Sequence, residues 1–253
     1  SVGTMSPHEV RSIGMRVQDR VRAQFSWPLE SDRESAMMLL QSVNSLSSKV
    51  PDWTEEEREN SITSLQERLL NGPIAAVGAA VNSDEILSAL NSDHRFIFAD
   101  GSIGIIQEFE NEIREKIWLK TLALVTDADG HPYISHAAER KIMHILHAHG
   151  DNEEDWAKLV KEISEMKAPP RLILTHQTPD RIEGMLNPGG FTDGDRTICL
   201  IGFLGVPISQ ISLLGYRSDI VGQWSGATDP ERKLRKLIFM QEVIDRLLEG
   251  APK

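Results

Sequence analysis

The chain has 253 residues, 40% hydrophobic and 26% charged, the composition of a globular protein with room for a sizeable core. Its 38 acidic and 27 basic residues give a formal charge of −11, which argues against nucleic acid as a partner. The single cysteine, Cys199, excludes a disulfide scaffold and a cysteine-rich zinc site. No apolar run reaches the roughly 18–20 residues of a membrane span. A free cysteine and the lack of a charged-then-apolar leader point to a cytoplasmic protein.

Helices fill the first two-thirds of the reading. Ser6, Pro7 and Glu9 signal a helix start before Val10, Ile13, Val17, Val21 and Phe25 at helical spacing. Ser31 with Glu34, and Thr54 with Glu57, repeat the capping box before two further apolar stripes; Gly72 stops the second. Ser83 caps a short helix carrying Ile86, Leu87 and Leu90. Phe96 to Phe98 is a short strand or extended entry. From Ser102, the positions Ile106, Phe109, Ile113 and Ile117 mark a long helix, and with no Gly, Pro or Asn from Glu112 to Thr126 it reads on to Val125. A loop over Asp127 to Tyr133 follows, then a helix from Ser135 to His149 stopped by Gly150. Trp156, Leu159, Val160 and Ile163 mark another helix.

The character changes at Pro169-Pro170. Arg171 to Thr175 and Thr197 to Leu204 read as buried strands, and Thr178-Pro179-Asp180 as the start of a short helix between them. Asn187 to Asp195 is a glycine-rich loop, and Pro207 to Gly226 is irregular with room for one more strand. Thr228 and Glu231 cap a last helix lined by Leu234, Leu237, Ile238, Val243, Ile244 and Leu248 and ended by Gly250. These elements predict a helix-rich α+β fold: a helical region over 1–94, a helical region with an acidic helix-loop-helix over 95–168, and a mixed α/β region over 169–253. The last of these holds a short sheet and a C-terminal amphipathic helix.

The sharpest local feature is the run from Leu122 to Ser135, where Asp127 and Asp129 offer hard oxygen ligands to one cation. Read as helix-loop-helix, it resembles a calmodulin-like EF-hand, with Asp127 and Asp129 on the first and third loop positions. His131 and Pro132 depart from that pattern at the fifth and sixth positions, and Glu139 comes one residue late. The run is also similar to tellurite-resistance-type helical domains. Read as strand-loop, it resembles the first motif of haloacid-dehalogenase-type phosphotransferases. That resemblance implies a nucleophilic Asp127, an acid/base Asp129, magnesium between them, and Thr175 as the second motif. The metal-ligand set from the sequence is thus Asp127, Asp129 and Glu139, for a divalent cation. The plainer reading is a polar turn capping the next helix.

Other candidates are weaker. Five of the eight histidines lie between His131 and His149, and His136, His144 and His147 share one face of the predicted helix. His144 and His147 have the spacing of a metal pair, or simply belong to a solvated face. His176, after a strand, is a candidate base. Gly189, Gly190 and Gly194 lack the ending of a phosphate loop. Arg232, Lys233, Arg235 and Lys236 would grip phosphates or an acidic partner, or lie on a solvated face.

No complete catalytic constellation is legible. The first reading is therefore an intracellular protein-interaction or assembly protein, with a protein partner or a second copy of itself. The alternatives are a metal-dependent phosphohydrolase using Asp127 and Asp129, and a nucleocapsid-like nucleic-acid-binding protein.

Overall fold

A computed structural model describes residues 5–226 and 229–249. Six parallel strands form one sheet: β1 (Ile74–Val77), β2 (Arg95–Ala99), β3 (Thr121–Thr126), β4 (Met143–Ala148), β5 (Leu172–His176) and β6 (Ile211–Leu214). Their spatial order is β5-β4-β3-β2-β1-β6. The helices are α1 (Pro7–Phe25), α2 (Leu29–Leu46), α3 (Glu55–Leu69), α4 (Ser83–Asn91), α5 (Asn111–Lys120), α6 (Ser135–Glu139), α7 (Glu153–Ser164), α8 (Asp193–Phe203) and α9 (Pro230–Glu249). The fold is α/β, and the expected helix-rich α+β arrangement with a short sheet is corrected.

Alternation along the strands divides the core in two. Ala75, Val77, Phe96, Phe98, Leu124, Leu146 and Leu174 face a layer containing α2, α4, α5, α6 and α7. Ile74, Ala76, Ile97, Ala123, Val125, Ile145 and Ile173 face α1, α3, α8 and α9. From β1 to β5 the chain marches in one direction with its crossover helices on the first face. It then crosses back to β6 with α8 on the second, as right-handed crossovers require. The winding reverses between β1 and β6, where open α/β sheets place their ligand crevice.

The misread elements share a cause. β3 is buried along its whole length. A strand covered on both faces loses its alternation and reads like a buried helix. The predicted helix from Ser102 is instead a 3-10 segment (Asp100–Glu108), then α5, then β3. The predicted helix from Ser135 ends at Glu139, and His144 and His147 lie on β4. The opposite error occurs at Thr197 to Leu204. This run belongs to α8, which is buried nearly all round between the sheet, α1 and α9. Cys199 is therefore a core residue of a helix.

Several starts are as expected. Ser6 and Glu9 form the full capping box of α1, and Thr54 caps α3. Two others differ: Asn82, one residue before the expected Ser83, caps α4, and α2 starts at Leu29 after Pro28 with no side-chain cap, so Ser31 and Glu34 lie inside it. On α9 the buried stripe is Leu237, Met240, Val243, Ile244 and Leu247, whereas Ile238 and Leu248 face outward. Thr228 and Gly250 lie outside the described residues; Asp229 accepts from the backbone N–H groups of Glu231 and Arg232. Among the described residues no helix is long and apolar enough to cross a membrane.

One close approach fixes α1 against the loop leading to α8. A Cβ on Gly14 would lie 2.6 Å from the Gly189 Cα and the Gly190 nitrogen, both in the loop leading to α8. Gly14→Ala is expected to destabilise the fold by about 1–3 kcal/mol through overpacking. The check is a lower thermal midpoint, with Ser12→Ala on the same helix as the control.

Candidate active site

The carboxyl ends of the strands carry the acids. Asp100 follows β2, Asp127 and Asp129 follow β3, and Asp193 opens α8. One oxygen from each lies within 4.8 Å of those of the other three. Asp100 is buried and left-handed, with φ 48°. Its Oδ1 accepts from Thr126 Oγ1 at 2.6 Å, and Gly130 leaves room for its carboxyl, since a Cβ there would sit 2.5 Å from it. Asp193 is held by Arg196 at 2.6 Å, beside the capping box of Thr192 and Asp195.

Crowding of like charge sets the protonation states. Burial, then the charges of Asp193, Asp129 and Asp127, raise Asp100 well above the carboxylate range. Burial and Asp127 also raise Asp193. The Asp127 charge, then burial, push Asp129 up to about 7. Burial opposes ionisation of Asp127, but hydrogen bonding and charge from His149, with Asp129 and Arg196, outweigh it and hold Asp127 well below the usual range.

A polar network fixes the loops behind the acids. His149 Nε2 lies 3.3 Å from Asp127 Oδ2. The neighbouring Gly150 N–H donates to Asp32 at 2.8 Å, and Asp32 also receives Arg22 and Gln177. Gln177 Oε1 lies 3.1 Å from Nε2 of His147, whose pKa burial holds well below the usual range. The loop carrying His149 is thus tied to the α1–α2 pair.

Basic groups arrive from α9. Lys233 lines a cleft with Asp100 and Asp193. Arg232 and Lys236 lie 5.5 and 5.8 Å from the Trp27 ring. Burial first, then Lys233 and Arg232, lowers the Lys236 pKa.

The donor set fits a hard divalent cation: clustered carboxylates, with the buried Asp127 Oδ1 left without a hydrogen-bond partner among the described residues. The sequence reading found Asp127 and Asp129. Glu139 stands apart, exposed at the end of α6 and facing His136 at 3.7 Å. Asp100 and Asp193 were missed. The signal for Asp100 was the apolar run before it, whereas Asp193 hid among ordinary capping residues. His144 and His147, three apart on a strand, point to opposite faces and form no metal pair. His176 ends β5, where its Nδ1 accepts from Thr178 N–H in a turn, and the helix expected to start at Thr178 is absent, the next being α8. Thr175 faces His147, and β4 separates its strand from β3.

The chain is 30% identical over 237 residues to a Pyrococcus furiosus protein named 6-hydroxymethyl-7,8-dihydropterin pyrophosphokinase, covering 90% of each. It belongs to the 6-hydroxymethyl-7,8-dihydropterin pyrophosphokinase family. A Methanocaldococcus jannaschii protein of the same name is 25% identical over 250 residues, covering 90% of this chain and 92% of the relative. No family model matches the chain, and no solved structure matches it significantly. Membership in a family of enzymes overturns the reading as a non-catalytic assembly protein and protein-binding oligomer.

The raised Asp129 has a consequence for stability. Its native pKa of about 7 lies above the ordinary 3.8. Between these values the native state holds a proton that the unfolded chain has released, so stability falls as pH rises from about 4 to about 7. Melting in a chelator across this range is expected to show that fall, and Asp129→Asn to flatten it.

Proposed function

We propose that the chain transfers a diphosphoryl group from a nucleoside triphosphate to the hydroxymethyl group of 6-hydroxymethyl-7,8-dihydropterin. The observation that carries this reading is the meeting of four aspartates with the basic start of α9 at the carboxyl edge of the sheet, in a chain of this family. Transfer of two phosphoryl groups together requires attack at the β-phosphorus. The acceptor oxygen forms the new bond, the β-phosphorus to α-oxygen bond breaks, and nucleoside monophosphate leaves.

Asp127 and Asp129 would hold a divalent cation, with Asp100 and Asp193 beside them. When bound, the cation supplies positive charge against the transferring phosphoryl oxygens. Lys233, Lys236 and Arg232 bind the remaining phosphate charge. Arg196 keeps Asp193 in place, and His149 fixes the Asp127 carboxylate. A cluster carboxylate free of the cation accepts the proton of the hydroxyl group.

The test is phosphorus NMR on a reaction with ATP, magnesium and the dihydropterin. AMP and a pterin diphosphate are expected; ADP with a monophosphate ester, or release of orthophosphate alone, would overturn the reading. Asp127→Asn should lower kcat by about 100-fold or more, the scale of losing a charge-stabilising group. Lys236→Ala should raise the nucleotide KM about tenfold, as expected for one charge-assisted hydrogen bond.

A further inference from the structure

We infer that the cleft walled by the joined loops after β1 and β6 on one side and by the starts of α8 and α9 on the other is the slot for the flat pterin ring, read by the Trp224 indole N–H and the Ser225 hydroxyl; this rests on the proposed reaction.

Asp100, Asp193 and Lys233 line the cleft, so a ring lodged there abuts the acidic cluster. Ala79 and Ala80 from the β1 loop and Gly222 from the β6 loop also line it. These loops press together backbone to backbone: Trp224 N–H donates to the Ala79 carbonyl at 3.1 Å, and a Cβ on Gly222 would overlap the same carbonyl. The β1-loop wall, Gly78, Ala79 and Ala80, carries no large side chain and leaves a flat aromatic ring close to peptide groups there, while Tyr216, Arg217, Ile220 and Leu237 line the rest of the cleft.

Trp224 is 6% exposed and lines the cleft, yet its indole N–H has no acceptor among the described residues; the Ser225 hydroxyl is likewise buried and without a partner among them. Buried donors without partners are rare in a native protein, and a ligand with acceptor atoms along one edge satisfies them. The Trp224 ring is seated on Gly104, where a Cβ would lie 2.8 Å from it, and meets Tyr133 edge-on at 5.1 Å. The donor is therefore held rigidly.

Connectivity chooses between the two substrates. In the acceptor one methylene separates ring from attacking oxygen, so its ring must lie beside the cluster. In the nucleotide a ribose and the α-phosphate intervene before the base. The cleft begins at Asp100 and Asp193, which matches the acceptor. Arg232, Lys236 and Trp27 lie outside its lining and are left for the nucleotide.

The test compares wild type with Ala80→Leu, which fills the slot, Trp224→Phe, which removes the N–H and keeps an aromatic ring, and Ser225→Ala. Acceptor KM is expected to rise about tenfold or more in Ala80→Leu and Trp224→Phe, the scale of a lost buried hydrogen bond or a blocked contact. Nucleotide KM should stay within a factor of about two. Calorimetric binding of oxidised 6-hydroxymethylpterin, which needs no turnover, should weaken in all three variants. Unchanged acceptor KM and unchanged pterin binding, or a rise confined to the nucleotide KM, would overturn the slot. Wild-type protein that binds the pterin and loses it in Ala80→Leu, yet transfers no diphosphate, would sink the proposed reaction and keep the slot. Should Trp224→Phe fail to fold, Ser225→Ala and Ala80→Leu decide the question.

Discussion

Mutual repulsion among four carboxylates, each with an oxygen within 4.8 Å of the others, is the constraint around which this end of the molecule is organised. Such a cluster is stable only if it takes up protons, gathers cations, or both. The chain does some of each: Asp100, Asp129 and Asp193 are shifted toward the protonated form, while Arg196 and Lys233 supply positive charge. Asp127 remains ionised, with one oxygen against His149 and the other unpartnered among the described residues. This residual charge marks where a divalent cation belongs.

The fold makes the cluster unavoidable. Parallel strands bring all their carboxyl ends to one edge, and β2 and β3 are neighbours, so the residues following them meet. The return crossover to β6 places the start of α8, and with it Asp193, against the same edge. Helices α1 and α2, outside the alternating βα succession, have a different task. Through Arg22, Asp32 and Gln177 they tie down the loops after β4 and β5.

How much of this could be read from the sequence depended on burial. The capping signals at Ser6 and Thr54 were legible because they are local chemistry at exposed helix starts. β2 and β5 were legible because their short apolar runs stand between turn residues. β1, a four-residue run of Ile-Ala-Ala-Val, was too short to register, and β3 merged with the end of α5. That merger had consequences at the site. Local pattern leaves 121–126 open to helix or strand, and only the helix reading joins Asp127 and Asp129 to a second helix and brings Glu139 within reach. With 121–126 as a strand, they sit at a sheet edge, and their partners come from distant segments. Asp193 follows Asp127 by 66 positions, a proximity that local spacing cannot express. The basic start of α9 was seen as a charge cluster, but its direction depended on packing against α1 and α8.

The most direct test of the central claim is a count of bound cations. Manganese titrated into the protein at neutral pH can be followed by the loss of the free-ion EPR signal. The account predicts saturable binding in the wild type, competed by magnesium, and loss of that binding in Asp127→Asn with the fold intact. Glu139→Gln should bind as the wild type does. Manganese binding unaffected by Asp127→Asn, or no binding to the folded wild type with or without ATP, would contradict it.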